Sequence, residues 1–166
     1  MAILPLVMMD NPVLHRKAKR VRNIDKSIQK LIDDLIETMH HIGDAAGLAA
    51  PQVGVPLQVA VIELPGEDLI TLINPEIVKR AGEREVMEGC LSLPGYRGEI
   101  KRSDMLTVKG RDRNGKQIRI KADGLLAQAL EHEIDHLNGV VYLDHLESRD
   151  KLYEIEPEEE DEASHI

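Results

Sequence analysis

The 166-residue chain is long enough for one domain with its own core. It is 42% hydrophobic and 31% charged, the balance of a folded rather than a disordered protein. Its formal net charge of -9, with neither Phe nor Trp, argues against a surface dominated by phosphate contacts or by base-stacking platforms. The basic run from His15 to Arg22 is a local exception, read as a solvated segment. One cysteine, Cys90, excludes an internal disulfide and fits a reducing compartment. The apolar opening, Met1 to Met9, lacks a basic flank and contains Pro5, so it does not read as a signal peptide. No apolar run reaches the roughly 18 residues of a membrane span. The expected location is the cytoplasm, and neither DNA nor a membrane is an expected partner.

Asp10-Asn-Pro-Val13 predicts a turn, because Pro12 fixes its own φ and restricts Asn11. Ile28, Leu31, Ile32, Leu35, Ile36 and Met39 recur at helical spacing, with Lys30, Asp33, Asp34 and Glu37 assigned to the opposite face. Residues 43–55 are rich in Gly and Ala. Residues 57–64 and 70–73 predict strands, and 76–79 extends the sheet. Residues 105–109 and 117–121 predict two more strands, joined through Asn114-Gly115, a hairpin signal. A helix is expected over 125–137, stopped by Asn138-Gly139, and a short strand over 140–143. The elements amount to an α+β domain: mainly antiparallel strands around a central metal-binding helix, with an N-terminal amphipathic helix. Residues 1–148 form one catalytic domain. Residues 149–166, with Glu154, Glu156, Glu158 to Glu160, Asp161 and Glu162, form an acidic tail expected to be partly disordered.

Three segments carry chemistry. In His132-Glu-Ile-Asp-His136 the two imidazoles lie one helical turn apart on one face and can share a metal ion, with Glu133 beside it. Leu125, Leu126, Ala129 and Leu130 mark the helix as buried, and a buried helix does not carry two His and a Glu without partners. In Glu88-Gly-Cys-Leu-Ser-Leu-Pro-Gly95 the cysteine follows a glycine in an extended stretch, which lets another group approach the backbone. A thiolate with two imidazoles is a catalytic ligand set that leaves a position for water. A Cys-His nucleophile is the weaker alternative, since it leaves the spacing of the His pair unexplained. In the small-residue run Gly43 to Gly54, Gln52 is the one long polar side chain after Asp44 and can donate to a developing oxyanion. The run lacks a P-loop lysine, which excludes that mode of phosphate binding.

Gly47-Leu-Ala-Ala-Pro-Gln52, Glu88-Gly-Cys-Leu-Ser92 and His132-Glu-Ile-Asp-His136, in this order and at this spacing, resemble the three motifs of peptide deformylases. Asn11-Pro-Val-Leu14 and Ala122-Asp-Gly-Leu125 share the resemblance, which runs over roughly residues 5–146. It implies a metal-dependent hydrolase that removes the formyl group from the N-terminal formyl-methionine of new polypeptides and releases formate. Cys90, His132 and His136 would hold one divalent ion, Fe(II) being favoured and Zn, Ni or Co serving as substitutes. Glu133 would be the general acid and base, with Gln52 and the Leu91 N–H as the oxyanion site. Gly47 and Gly89 would present backbone groups to the peptide, and Arg97 would meet it further along. Ala46, Leu125, Gln128 and Ala129 would line the methionine pocket. Two departures stand out: Ala45 replaces the first glycine of the first motif, and Glu131 stands where many members have Gln. The acidic C-terminus differs from the basic helix with which some members dock on the ribosome. Ribosome docking is therefore expected only by another route, and a monomer is expected. A zinc endopeptidase with the same helix pair is the rival within this chemistry, disfavoured by a Cys third ligand. A non-catalytic metal module would need a fourth ligand; His145 is the nearest candidate and reads as a surface residue.

Overall fold

The computed structural model describes residues 2–155. Pro12–His15 forms a 3-10 turn capped by Asn11, whose Oδ1 accepts the Val13 N–H. The first helix, α1, spans Lys26–Ile42. Asp25 caps it by accepting the Ile28 N–H at 3.1 Å, and Gly43 at φ 96° ends it. Its stripe Ile28, Leu31, Ile32, Leu35 and Met39 is buried as expected. Asp34 is not on the solvent face assigned to it. It is 3% exposed, because the N-terminal segment crosses over it and the Ala2 N–H donates to its Oδ1 at 2.7 Å. Lys30 pairs with it at 2.7 Å and holds its carboxyl below the usual range.

Eight strands follow: β1 (Gly47–Ala49), β2 (Val59–Ile62), β3 (Ile70–Ala81), β4 (Arg84–Cys90), β5 (Leu93–Arg102), β6 (Met105–Arg111), β7 (Gln117–Asp123) and β8 (Leu152–Glu154). Two all-antiparallel sheets result, one in the order β1-β2-β3-β6-β7 and one in the order β4-β5-β8. The second helix, α2, spans Gly124–Leu137. The α+β class with mainly antiparallel strands is as the sequence predicts.

Strand alternation positions the helices. Leu48, Val59, Val61 and Ile73 pack on the α1 stripe. Ile62, Leu72, Leu106 and Val108 pack on Ala127, Ala129, Leu130 and Ile134 of α2. The two helices therefore cover opposite faces of the larger sheet. The far side of α2 meets the smaller sheet, with Ser103, just past β5, donating its N–H to Glu131 at 2.9 Å.

Two local readings need correction, and two further features add to what the sequence marked. The two segments 70–73 and 76–79 are one strand, β3, broken in register between Ile73 and Glu76. Pro75 cannot donate to the ladder, and Asn74 takes a left-handed φ of 52°, so the strand bulges rather than ends. Residues 140–143 do not form a strand. The Asp144 carboxylate accepts the Val141 N–H at 2.9 Å and closes a 3-10 turn over Tyr142–His145. Long strands β4 and β5 make a hairpin that composition alone did not mark. The start of the expected tail is structured: β8 pairs with Tyr96–Gly98 of β5, and Leu152 packs beside Tyr142 and Ile100. The remainder of the tail, 156–166, lies outside the described residues.

Candidate metal centre

The end of β4 brings Cys90 against α2, which supplies His132 and His136. One donor atom from each lies within 4.8 Å of the others, and all three residues are buried. Cys90 Sγ is 3.4 Å from His136 Nε2, and the two imidazole Nε2 atoms are 3.1 Å apart. Glu88, two residues before Cys90, faces His132 Nδ1 at 2.7 Å. A carboxylate there fixes the tautomer: Nδ1–H donates to Glu88, and the Nε2 lone pair faces the cluster. Burial pushes both imidazoles down. At His132 the Glu88 charge overrides burial and raises it well above the usual range. His136, beside His132, stays well below. Once His132 gives up its Nε2 proton, two nitrogens and a sulfur converge in a dry space, a donor set that suits one borderline-soft divalent cation with a position left open.

Glu133 is fully buried, and neither carboxylate oxygen has a hydrogen-bond partner among the described residues. Burial pushes its carboxyl up to about 7. A buried carboxyl without a partner is costly, so the fold is built around a group that is not protein. β1 lies against it: a Cβ on Gly47 would sit 2.6 Å from Glu133 Oε2, so any larger residue there would push the carboxylate aside. Ala45, by contrast, keeps a negative φ, since Asn74 is the one non-glycine residue with positive φ among those described.

Gln52 is 1% exposed, which excludes a solvent-facing role. Its Oε1 accepts the Ala49 N–H at 3.0 Å, which assigns the amide orientation. Its Nε2 then points at Cys90 Sγ, 3.6 Å away, and at Ser92 Oγ, 3.4 Å away. Leu91 follows Cys90 at the β4–β5 turn and is buried. Arg97 lies behind Gly89, where any Cβ would collide with its guanidinium. It is 7% exposed, donates from Nη1 to Tyr96 O at 3.1 Å, and leaves Nη2 without a partner among the described residues.

The expected methionine-pocket residues are not all brought together. Ala46 and Leu125 line one cavity of about 470 Å3, with Met39 and Leu64. Ala129 is fully buried in the core between α2 and the larger sheet. Gln128 donates to Glu88 at 3.3 Å and to the Met87 carbonyl at 3.4 Å, so it steadies the carboxylate that orients His132. His145 is half-exposed and faces Asp135 at 2.8 Å rather than the cluster.

Sequence reasoning missed Arg102. It is a 2% exposed arginine on β5 that grips Glu88 at 3.0 and 2.5 Å, Asp135 at 2.6 Å and Glu131 at 3.5 Å. Burial opposes charge on Glu88, but His132 and Arg102 outweigh it and hold the carboxyl at about 2. A signal existed: Glu131 and Asp135, four apart on a buried helix, form an acidic stripe that demands a buried cation.

The model of the polypeptide deformylase family matches residues 3–152. A peptide deformylase of Dehalococcoides mccartyi (strain CBDB1) is 56% identical over 161 residues, 96% of each chain. One of Alkaliphilus metalliredigens is 53% identical over 135 residues, 81% of this chain and 90% of the relative. The crystal structure of a peptide deformylase from Legionella pneumophila superposes with a TM-score of 0.86 at 43% identity, covering 90% of this chain and 89% of that one. A deformylase from Synechococcus elongatus in complex with actinonin gives 0.85 at 42% identity, covering 89% and 81%. On fold, site geometry and sequence together, the chain belongs to the polypeptide deformylase family.

Proposed function

We propose that this chain is a peptide deformylase whose Cys90, His132 and His136 hold one divalent ion while Glu133 handles the proton. The observation that carries the reading is the buried Cys-His-His cluster beside a buried, unpartnered carboxyl held at about 7. Family membership supplies the substrate: a polypeptide with an N-terminal formyl-methionine. The ion supplies Lewis acidity, which lets water ionise near neutral pH.

The protein's own groups do the rest. The Glu133 carboxylate takes a proton from the attacking water, which adds to the formyl carbon. Negative charge grows on the formyl oxygen, where the Gln52 Nε2–H and the Leu91 N–H donate. Glu133 then gives its proton to the departing amine as the C–N bond breaks, so water and formamide become formate and a free amino terminus. A carboxyl near 7 suits both transfers at neutral pH. Gly47 and Gly89 would present backbone groups to the peptide, and Arg97 Nη2, without a partner among the described residues, would donate to a carbonyl further along it. The methionine side chain enters beside Ala46 and Leu125, which line one cavity, and Gln128 and Ala129 of α2 border it.

Fe(II) is the proposed native ion, with Zn, Ni or Co as substitutes; a thiolate with two imidazoles suits all four. The chain acts as one catalytic domain, monomeric and cytoplasmic, into which the start of the acidic segment is paired through β8. Formate release from a formyl-Met peptide by anaerobically prepared protein, with metal content measured alongside, tests the reading. Turnover that scales with bound metal supports it. Fully loaded protein that releases no formate overturns it.

A further inference from the structure

Against a net charge of -9, residues 16–22 carry five Lys or Arg, and no acidic residue occurs from Asn11 to Ile24. Arg16, Lys17, Lys19, Arg20 and Arg22 are all exposed. Among the described residues none of these five side chains takes part in an ion pair. Their backbone is nevertheless held. The Ala18 N–H donates to Leu137 O at 2.9 Å, just past His136, and the Lys19 N–H donates to Pro56 O at 2.8 Å. Gln58 returns two bonds, its N–H to Lys19 O and its Nε2 to Ala18 O. The bulge residue Asn74 clamps Val21 from both sides, accepting its N–H at 2.8 Å and donating to its carbonyl at 2.9 Å. Ala18 and Val21 are buried, so the apolar members anchor the strap and every cation points out.

Such a strap is unlike a solvated loop. Its backbone is fixed by the fold at Ala18, Lys19 and Val21, so the cations are displayed from an anchored segment. Lys17 and Arg20 also line a cavity of about 410 Å3 with Arg80 and the amides of Gln58, Asn74 and Asn138. Two carboxylates, Glu76 and Asp135, share that lining, but Asp135 is engaged by Arg102 and His145, and Arg80 is itself paired with Glu131.

We propose that this strap is a docking surface for the phosphate backbone of RNA. Exposed cations on an anchored backbone, none in an ion pair among the described residues, fit phosphodiester oxygens. With no Phe, Trp or Tyr from Asn11 to Ile24, recognition is of backbone charge and not of stacked bases. A membrane fits less well, because the apolar residues of the strap are buried and none is left to insert. RNA binding here is independent of the hydrolytic site.

Fluorescence anisotropy with a labelled single-stranded RNA of mixed sequence tests this on the full chain. Four neutralised phosphates give a log–log salt slope of about -3, so affinity falls roughly 60-fold between about 50 and 200 mM salt. The triple variant Lys17→Gln, Lys19→Gln, Arg20→Gln should bind at least about tenfold more weakly, with a slope near -1, while keeping its deformylation rate and melting temperature. No saturable binding at about 50 mM salt, or a variant with the parent's slope, overturns the proposal. So does co-sedimentation with phosphatidylglycerol vesicles by a protein that leaves the RNA unbound.

Discussion

Arg102→Gln removes the one cation that Glu88, Asp135 and Glu131 share inside the protein. Its side chain is 1% exposed, and its bonds to Glu88 and Asp135 are 2.5 to 3.0 Å long. The Glu88 carboxyl moves from 4.5 in a free chain to about 2 in the fold, a difference worth about 3 kcal/mol, of which His132 supplies the larger part and Arg102 the rest. Stripping one partner from a buried ion pair costs about 3–5 kcal/mol, and here three carboxylates lose it. For a chain of this size that amounts to a fall in melting temperature of roughly 10 °C. The sign with pH follows from the depressed carboxyl. Its contribution is complete above about pH 5 and is lost as pH falls toward 2, so the deficit of the variant should shrink below about pH 4.5. Thermal unfolding of metal-free wild type and variant at several pH values measures this. A melting temperature within about 2 °C of wild type at pH 7, or a deficit that does not change with pH, would refute the role given to Arg102.

Glu133→Gln should stabilise the metal-free protein at pH 8 but not at pH 5. The wild-type carboxyl is raised from 4.5 to about 7, so the native state holds an extra proton between those values and loses stability as pH rises through them. Chemical denaturation at the two pH values reads the difference, and equal effects at both would contradict the burial argument. Gln52→Leu should lower kcat by about 10²–10³ with metal content unchanged, as measured by steady-state kinetics and elemental analysis. Gly47→Ala should also lower kcat, because its methyl occupies the space of Glu133 Oε2. A crystal structure of that variant with Glu133 undisplaced would show the close approach to be dispensable.

Periodicity made α1, α2 and the β6–β7 hairpin legible, because each has a clean apolar stripe or an Asn-Gly turn. Spacing made the His132–His136 pair legible, and the glycine-flanked extended segment around Cys90 marked the third donor. What stayed hidden was set by tertiary partners. Asp34 looks like a surface residue until the N-terminal segment covers it. β3 looks like two strands because Asn74 and Pro75 read as a turn, and only pairing with both β2 and β6 carries the chain through them. Arg102 is an ordinary strand arginine until β5 sets it against the acidic stripe of α2. The bond from Gln128 to Glu88 was likewise invisible until β4 was set against α2.

The most direct test of the central claim is Glu133→Ala, assayed for bound metal and for formate release from a formyl-Met peptide in the same preparation. Metal bound as in the wild type with turnover abolished is the predicted result. Full activity in that variant would contradict the role of Glu133 and the mechanism built on it.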